Sequence, residues 1–237
     1  MAPNKNNKSK RKSNKTLFLA LGIIAIILVG VGAYIIVGRS NQPTNLTTTP
    51  TPTPTLTPSP NPTSPGATSP TSETDPLYVG GTKVLLHTSM GDITIELRND
   101  KPITTSNFIH LVQQGTYNNT IFHRVIAGFM IQGGDPTGTG YGDPSIPTIQ
   151  DEIGSNNHNY NGTIAMANTG QPNSGSSQFF INVADNNNRY STFDTSYPVF
   201  GKVISGMDVV MNISKAATNS NDKPLTNVTL ISASILS

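Results

Sequence analysis

Ten prolines lie within residues 40–76, and this stretch decides which part of the chain can form a compact domain. Its other residues are mostly threonine, serine and asparagine, which offer almost no apolar surface to bury. We therefore expect an extended, disordered linker over residues 38–76. A proline-rich ligand for a partner, built on the PxxP spacings, is the sharper alternative. In either case a compact fold is expected only in residues 77–237.

An uncharged run of 21 residues, Leu17–Val37, precedes the linker. As a helix it would be about 31 Å long, which matches a hydrocarbon core of about 30 Å. Six basic residues precede the run and one follows it. We therefore predict a single-pass anchor in the cell membrane, with residues 1–16 as a basic cytoplasmic tail and the folded part outside the cytoplasm. A cleaved signal peptide is the alternative, but its apolar region would be only about 7–15 residues long.

The folded part differs in charge from the basic tail. Residues 77–237 contain eight basic and eleven acidic side chains, a net charge of −3, so this part gives no electrostatic support for nucleic-acid binding. The chain has no cysteine, which excludes disulfides, thiolate catalysis and cysteine-ligated zinc. Its four histidines form no H-x-x-x-H pair, and its serines form no G-x-S-x-G motif. The patterns thus favour neither a metal site nor a serine hydrolase.

Short apolar-rich runs separated by turn residues predict a mainly β domain. We predict strands at Lys83–Thr88, Asp92–Leu97, Thr120–Ile126, Phe129–Gly133, Gly162–Ala167, Gln178–Val183, Val199–Ile204 and Val228–Leu236. Two helices are predicted, one beginning at Pro102 with Asp100 near its positive end, and one over Met207–Lys215. Many short strands with two helices indicate a closed antiparallel barrel or a sandwich, and the pattern alone does not choose between them.

One charged residue, Arg124, interrupts the apolar residues around it in the predicted strand Thr120–Ile126. A guanidinium keeps its proton at physiological pH, so Arg124 cannot act as a general base. It can, however, donate directed hydrogen bonds from an apolar groove. The simpler interpretation is an edge-strand arginine paired with a carboxylate, and position alone favours that interpretation.

Four segments favour a functional role for Arg124 over that simpler interpretation. They are FHRVIAGFMIQGGDPTGTG (122–140), GTIAMANTG (162–170), SGSSQFFI (174–181) and PVFGKV (198–203). In this order they closely resemble the signature blocks of the cyclophilin family of peptidyl-prolyl cis-trans isomerases, and the resemblance covers about residues 82–237. It implies an eight-stranded antiparallel barrel closed by two helices, with a proline-binding groove on its outer face.

The resemblance also implies roles for individual residues. Arg124 matches the catalytic arginine of the family, and His123 matches the histidine beside it. The other matching positions belong to the groove: the walls of the proline pocket at Phe129, Met130, Phe180 and Phe193, the groups that hold the peptide backbone and orient the arginine at Gln132, Ala167, Asn168 and Gln178, and the rim at Tyr197. Arg124 would donate to the prolyl nitrogen, which regains a lone pair when the X–Pro bond twists. No cofactor is expected.

One departure from the family concerns inhibitors. Thr192 occupies the place where several members carry a tryptophan, and the chain contains no tryptophan. That tryptophan matters mainly for the cyclosporin class, so we expect weak cyclosporin binding with retained catalysis.

Anchor and resemblance together suggest a membrane-anchored, bacterial-like isomerase. We expect a monomeric catalytic domain that acts on proline-containing segments of exported proteins. A non-catalytic module that only holds such segments is the main alternative, and a structural surface protein displayed on its stalk is a third.

Overall fold

The computed structural model describes residues 75–187, 190 and 192–237. The predicted tail, the predicted anchor Leu17–Val37 and all but the last two residues of the predicted linker lie outside the described residues. Among the residues that are described, no helix combines the length and the apolar character needed to cross a membrane.

One antiparallel sheet contains every strand of the described residues. The strands are β1 (Lys83–Thr88), β2 (Gly91–Leu97), β3 (Thr120–Ile121), β4 (Arg124–Ile126), β5 (Met130–Gly133), β6 (Thr163–Met166), β7 (Phe179–Asn182), β8 (Val199–Ser205) and β9 (Thr229–Leu236). The helices are α1 (Pro102–Gln113), α2 (Phe193–Ser196) and α3 (Met207–Ile213). The order of strands across the sheet is β3-β9-β1-β2-β8-β6-β7-β5-β4. Its two edge strands, β3 and β4, follow each other in the chain, so the sheet curves until both edges reach residues 120–126.

The prediction of eight strands and two helices needs correction, because the described residues form nine strands and three helices. The predicted strand Thr120–Ile126 is split at Phe122 and His123, where it passes from one edge of the sheet to the other. The additional helix, α2, is a single turn. A turn of four residues is too short to show helical periodicity in a sequence.

The two faces of the sheet bury separate clusters of side chains. Successive residues of a strand point to opposite faces. Val125, Ile131 and Ile181 face each other across three strands and belong to the larger cluster. Residues that alternate with them form the smaller cluster on the opposite face, namely Met130, Ala165, Phe180 and Val199. Strand β7 is therefore buried on both faces.

Aromatic rings form the middle of the larger cluster. The ring of Phe108, on α1, lies 5.0 Å from that of Tyr117 and 5.1 Å from that of Phe200. Phe179, on β7, packs edge-on against Phe108 at 5.7 Å. These contacts join the helix to the sheet, and edge-to-face pairs add to the stability gained by burial alone.

A carboxylate from a distant loop caps α1. The amide groups of Ile103 and Thr104 donate to Glu152 at 3.1 and 2.7 Å. A negative charge here satisfies free amides and complements the helix dipole. The prediction assigned this position to Asp100, but Asp100 instead pairs with Arg98 at 2.6 Å.

The loop after β5 is organised around one buried carboxylate. Asp135 accepts hydrogen bonds from the main-chain amides of Thr137, Gly140 and Gly142 at 2.8, 2.6 and 3.2 Å. The loop begins at Gly134, whose φ is +81° and where a Cβ would lie 2.7 Å from the carbonyl oxygen of Ser177. Glycine is required at such a position. The carboxylate thus fixes a loop that borders the groove described next.

Candidate functional site

A cross-strand row places Arg124 beside an apolar surface. Arg124 on β4 is the register partner of Gln132 on β5, and Gln132 is the partner of Phe180 on β7. Register partners share a face of the sheet, with neighbouring Cβ atoms about 4.5–5.5 Å apart. This face is opposite to the one that carries Val125 and Ile131. The alternation of β4 therefore turns the charged side chain away from the main core.

A cavity of about 70 Å³ lies along this row. Nine side chains line it: Arg124, Phe129, Met130, Gln132, Ala167, Asn168, Phe180, Phe193 and Tyr197. All nine were predicted as site residues. The two other predicted residues, His123 and Gln178, do not line this cavity.

Aromatic rings form one wall of the cavity. The ring of Phe193, on α2, lies 5.6 Å from that of Phe129, 5.7 Å from that of Phe180 and 4.6 Å from that of Tyr197. Burial raises the pKa of Tyr197, and the positive charge of Arg124 acts in the opposite direction. The phenol thus stays neutral at physiological pH. The wall presents apolar ring faces and edges to the cavity.

Arg124 is held at one corner of its guanidinium. Nε of Arg124 lies 3.4 Å from Oδ2 of Asp222, and the two side chains are 28% and 42% exposed. The carboxylate partner expected in the simpler interpretation of Arg124 therefore exists. Because the contact engages Nε, it leaves the two terminal nitrogens as further donors. A partly exposed arginine beside an apolar cavity can donate to a ligand and cannot remove a proton from it.

Comparisons with known proteins agree with this arrangement. Residues 83–235 match the family described as cyclophilin type peptidyl-prolyl cis-trans isomerase/CLD. A protein of Aspergillus niger named peptidyl-prolyl cis-trans isomerase-like 1 is 45% identical over 159 residues, which cover 65% of this chain and 95% of that protein. One of Dictyostelium discoideum named peptidyl-prolyl cis-trans isomerase-like 3 is 44% identical over 156 residues, covering 64% and 94%. The chain belongs to the cyclophilin-type peptidyl-prolyl cis-trans isomerases.

Solved structures show the same family fold. A crystal structure of a cyclophilin type peptidyl-prolyl cis-trans isomerase of Cryptosporidium parvum matches with a TM-score of 0.61 and 33% identity, covering 66% of this chain and 98% of that one. A second crystal structure of that protein, in the presence of the dipeptide Ala-Pro, also gives 0.61, with 34% identity and coverage of 65% and 99%. The predicted family is confirmed, and the chain is an enzyme of the peptidyl-prolyl isomerase class.

Gln178 links the groove of this cyclophilin to a second cavity. Nε2 of Gln132 donates to Oε1 of Gln178 at 2.9 Å, and Nε2 of Gln178 donates to the carbonyl oxygen of Gly140 at 3.1 Å. The second cavity, of about 290 Å³, shares Gln132, Ala167 and Asn168 with the first. Gln178 therefore lies between the groove and the loop that Asp135 organises.

His123 lies behind the groove. Its side chain is buried, and a Cβ placed on Gly140 would come within 3.3 Å of its ring. Burial lowers the pKa of His123, and the nearby positive charge of Arg124 also lowers it, whereas Asp135 raises it. The imidazole is accordingly neutral at physiological pH. Its ring therefore leaves little room for a side chain at Gly140, in the loop after β5.

Two asparagine amides hold the aromatic wall; Asn168 was predicted as a site residue, whereas the sequence did not reveal the buried Asn157. Nδ2 of Asn157 donates to the carbonyl oxygens of Asp194 and Tyr197 at 2.6 and 2.9 Å. Nδ2 of Asn168 donates to the carbonyl oxygen of Ser196 at 2.7 Å. These three bonds fix α2 and its flanks. Asparagines in loops are common, so no local pattern distinguishes Asn157 from a solvated asparagine.

A further aromatic residue was also missed. The ring of Tyr190 lies 5.4 Å from that of Phe129 and 5.6 Å from that of Phe193. It extends the aromatic wall beyond the residues that line the cavity. Its position next to a polar asparagine run gave no sequence signal for such packing.

Proposed function

We propose that this chain accelerates rotation about X–Pro bonds by donating a hydrogen bond from Arg124 to the prolyl nitrogen. One observation carries the proposal: Arg124, Gln132 and Phe180 form a single cross-strand row at a cavity walled by aromatic rings. A proline ring held against Phe180 would bring its nitrogen toward the guanidinium.

The chemistry requires little beyond this arrangement. Rotation of a peptide bond has a barrier of about 18–20 kcal/mol, because the nitrogen lone pair is delocalised in the planar amide. In the twisted transition state the lone pair returns to the nitrogen, and a donor aimed there stabilises that state more than the planar one. A charged hydrogen bond contributes about 1.5–3 kcal/mol, which corresponds to roughly 10–150-fold in rate.

The surrounding groove supplies the remaining contribution. A twisted amide is less polar than a planar one, so transfer from water to the apolar cavity favours twisting. The aromatic wall of Phe129, Phe180 and Phe193 holds the proline ring on one side of the bond. Gln132, Ala167 and Asn168 also line the cavity and would hold the peptide chain on the other side. Such positioning lowers the entropic part of the barrier.

Proline-containing polypeptide segments are the proposed substrates. The cavity lies on the outer face of the sheet, and the guanidinium remains partly exposed, so an extended chain can reach it without opening the fold. The related protein of Cryptosporidium parvum was crystallised in the presence of Ala-Pro, the minimal segment of this kind. No group outside the polypeptide is needed for the proposed step.

The uncharged run Leu17–Val37 supports a proposal for where the enzyme acts. The chain would be anchored in the cell membrane, as in a bacterial-like tethered foldase, with a monomeric catalytic domain facing exported proteins. Protease added to intact cells should then remove the domain from the anchor. A domain that is cleaved only after the cells are opened would contradict this location.

Replacement of the guanidinium by an ammonium tests the proposed chemistry. Arg124→Lys keeps the positive charge but loses the planar set of donors. We expect at least a tenfold loss in the cis–trans exchange rate of an Ala-Pro peptide, measured by exchange NMR with the full chain, since a charged hydrogen bond is worth about that much. Equal exchange rates for the two proteins would contradict a role for the guanidinium.

A further inference from the structure

The loop of residues 217–225 contacts β4 at two neighbouring points through one residue. The carbonyl oxygen of Asp222 accepts the main-chain amide of Val125 at 2.8 Å. The carboxylate of the same residue lies 3.4 Å from Nε of Arg124. The first contact fixes where the loop meets the strand, and the second places a negative charge beside the guanidinium.

The conformation of the loop is set by its own hydrogen bonds. Oδ1 of Asn219 accepts the amides of Asn221 and Lys223 at 2.9 and 3.1 Å. The amide of Asn219 donates to the carbonyl oxygen of Lys223 at 2.9 Å, and that of Asp222 donates to the carbonyl oxygen of Asn219 at 3.0 Å. These bonds close a tight turn with Asp222 near its tip.

Asp222 occupies a backbone conformation that favours glycine. Its φ is +60°, in the left-handed region. Glycine adopts this region without steric cost, whereas asparagine and aspartate tolerate it better than most other residues. Backbone strain observed at a site can indicate a function for the side chain held there. Here that side chain is the carboxylate that faces Arg124.

We propose that Asp222 is a positioning residue for Arg124. The inference rests on the proposed function, in which the guanidinium donates to the prolyl nitrogen. A long arginine side chain on an outer face can adopt many rotamers, and only some of them direct its donors into the cavity. The contact of Asp222 with Nε holds one corner of the guanidinium and leaves the terminal nitrogens for the substrate.

The size of the effect follows from the exposure of the pair. Ion pairs between exposed side chains contribute about 0.2–1 kcal/mol, and at about 1.4 kcal/mol per tenfold this corresponds to no more than about fivefold. We therefore expect removal of the carboxylate to lower kcat by about two- to fivefold. KM should be unchanged, because the aromatic wall that binds the proline ring does not involve Asp222.

Two substitutions separate the carboxylate from the backbone of the loop. Asp222→Asn keeps a side chain that tolerates the left-handed conformation and removes the charge. Asp222→Gly removes the side chain and leaves the backbone unstrained. Both variants of the full chain should show the same loss of kcat on an uncharged proline peptide. Asp208→Asn, on the exposed side of α3, is the matched control and should keep the wild-type kcat.

A double-mutant cycle supplies a readout that a merely structural role would not affect. In an Arg124→Ala background, Asp222→Asn should cause no further loss, because no guanidinium remains to be positioned. The inference is wrong if Asp222→Asn leaves kcat unchanged in the presence of Arg124, if it raises KM alone, or if its effect persists without Arg124. Failure of the proposed function is distinct, since Arg124→Ala by itself would then retain activity.

Discussion

Asn186 donates its side-chain amide to the main-chain carbonyl oxygen of Phe129 at 2.8 Å. The same amide donates to Oδ1 of Asn182 at 2.7 Å, and Nδ2 of Asn182 donates to Oδ1 of Asn159 at 3.1 Å. All three asparagines are buried. Because Phe129 lines the cavity beside Arg124, this series of amides connects the groove to the interior of the domain.

Removal of the Asn186 amide should destabilise the domain and weaken substrate binding. Asn186→Leu has a similar volume but leaves Oδ1 of Asn182 without its donor, and leaves the carbonyl oxygen of Phe129 with the main-chain amide of Val183 alone. A buried polar group left unpaired costs about 1–3 kcal/mol, so the free energy of unfolding in urea should fall by that amount. KM should rise because Phe129 loses its support. Asn161→Ala, at an exposed asparagine, should change neither quantity. An unchanged KM in Asn186→Leu would show that the buried amides contribute to stability but not to substrate binding.

Phe179 and Phe180 form a matched pair for testing the proline pocket. They are neighbours on β7, with Phe179 in the main core and Phe180 in the groove cluster. Replacement of either by leucine should cost about 1 kcal/mol of stability, as similar-sized apolar changes do. Only Phe180→Leu should raise KM for a proline peptide. Equal KM values for the two variants would remove Phe180 from the proposed binding surface.

Strand positions follow from local sequence, and most groove residues follow from the motifs that carry the family resemblance. Alternation over Lys83–Thr88 gives the observed bounds of β1. Arg124 and Gln132 are close in sequence and lie on the two strands of one hairpin, so a single motif brings both side chains to one face of the sheet. Phe180 lies in another motif of the family resemblance, which is why its place in the groove was also predicted.

Side-chain contacts between residues far apart in the chain leave no comparable pattern in the sequence. Asp222 is 98 residues from Arg124, and Glu152 is 48 residues from the amide of Thr104 that it caps. Each is a common acidic residue in a polar loop, and Asp100 was the nearer candidate for the cap. Only the folded chain shows which carboxylate reaches which donor, because tertiary packing and not local pattern decides the pairing.

The carboxylate of Asp135 should make the free energy of unfolding depend on pH in the acidic range. Burial would raise the pKa of Asp135, but hydrogen bonds from Thr137, Gly140 and Gly142 outweigh it and lower the pKa. A pKa lower in the folded state means that the stabilisation is complete above the unfolded value of about 3.9 and is lost as pH falls below it. Asp135→Asn should therefore be less stable than the wild type at pH 7, and the difference in unfolding free energy should shrink below about pH 4. Parallel pH profiles for the two proteins would contradict this role.

Weak cyclosporin binding remains a prediction from Thr192. This residue is exposed and lies outside the nine residues that line the cavity beside Arg124. A tryptophan placed there would add a large aromatic surface and an N–H donor at the groove rim. We expect Thr192→Trp to bind cyclosporin at least tenfold more tightly than the wild type in isothermal titration calorimetry. Nanomolar inhibition of the wild-type chain would show the prediction to be wrong.

The most direct test of the central claim is the activity of Arg124→Ala in the full chain, measured together with its stability. Loss of a charged hydrogen bond in the transition state should reduce kcat/KM on a proline peptide by about 10–150-fold. Because Arg124 is partly exposed, the free energy of unfolding should change by less than about 1 kcal/mol. A folded Arg124→Ala protein that keeps kcat/KM within about twofold of the wild type, a difference of less than about 0.5 kcal/mol, would contradict the proposed mechanism.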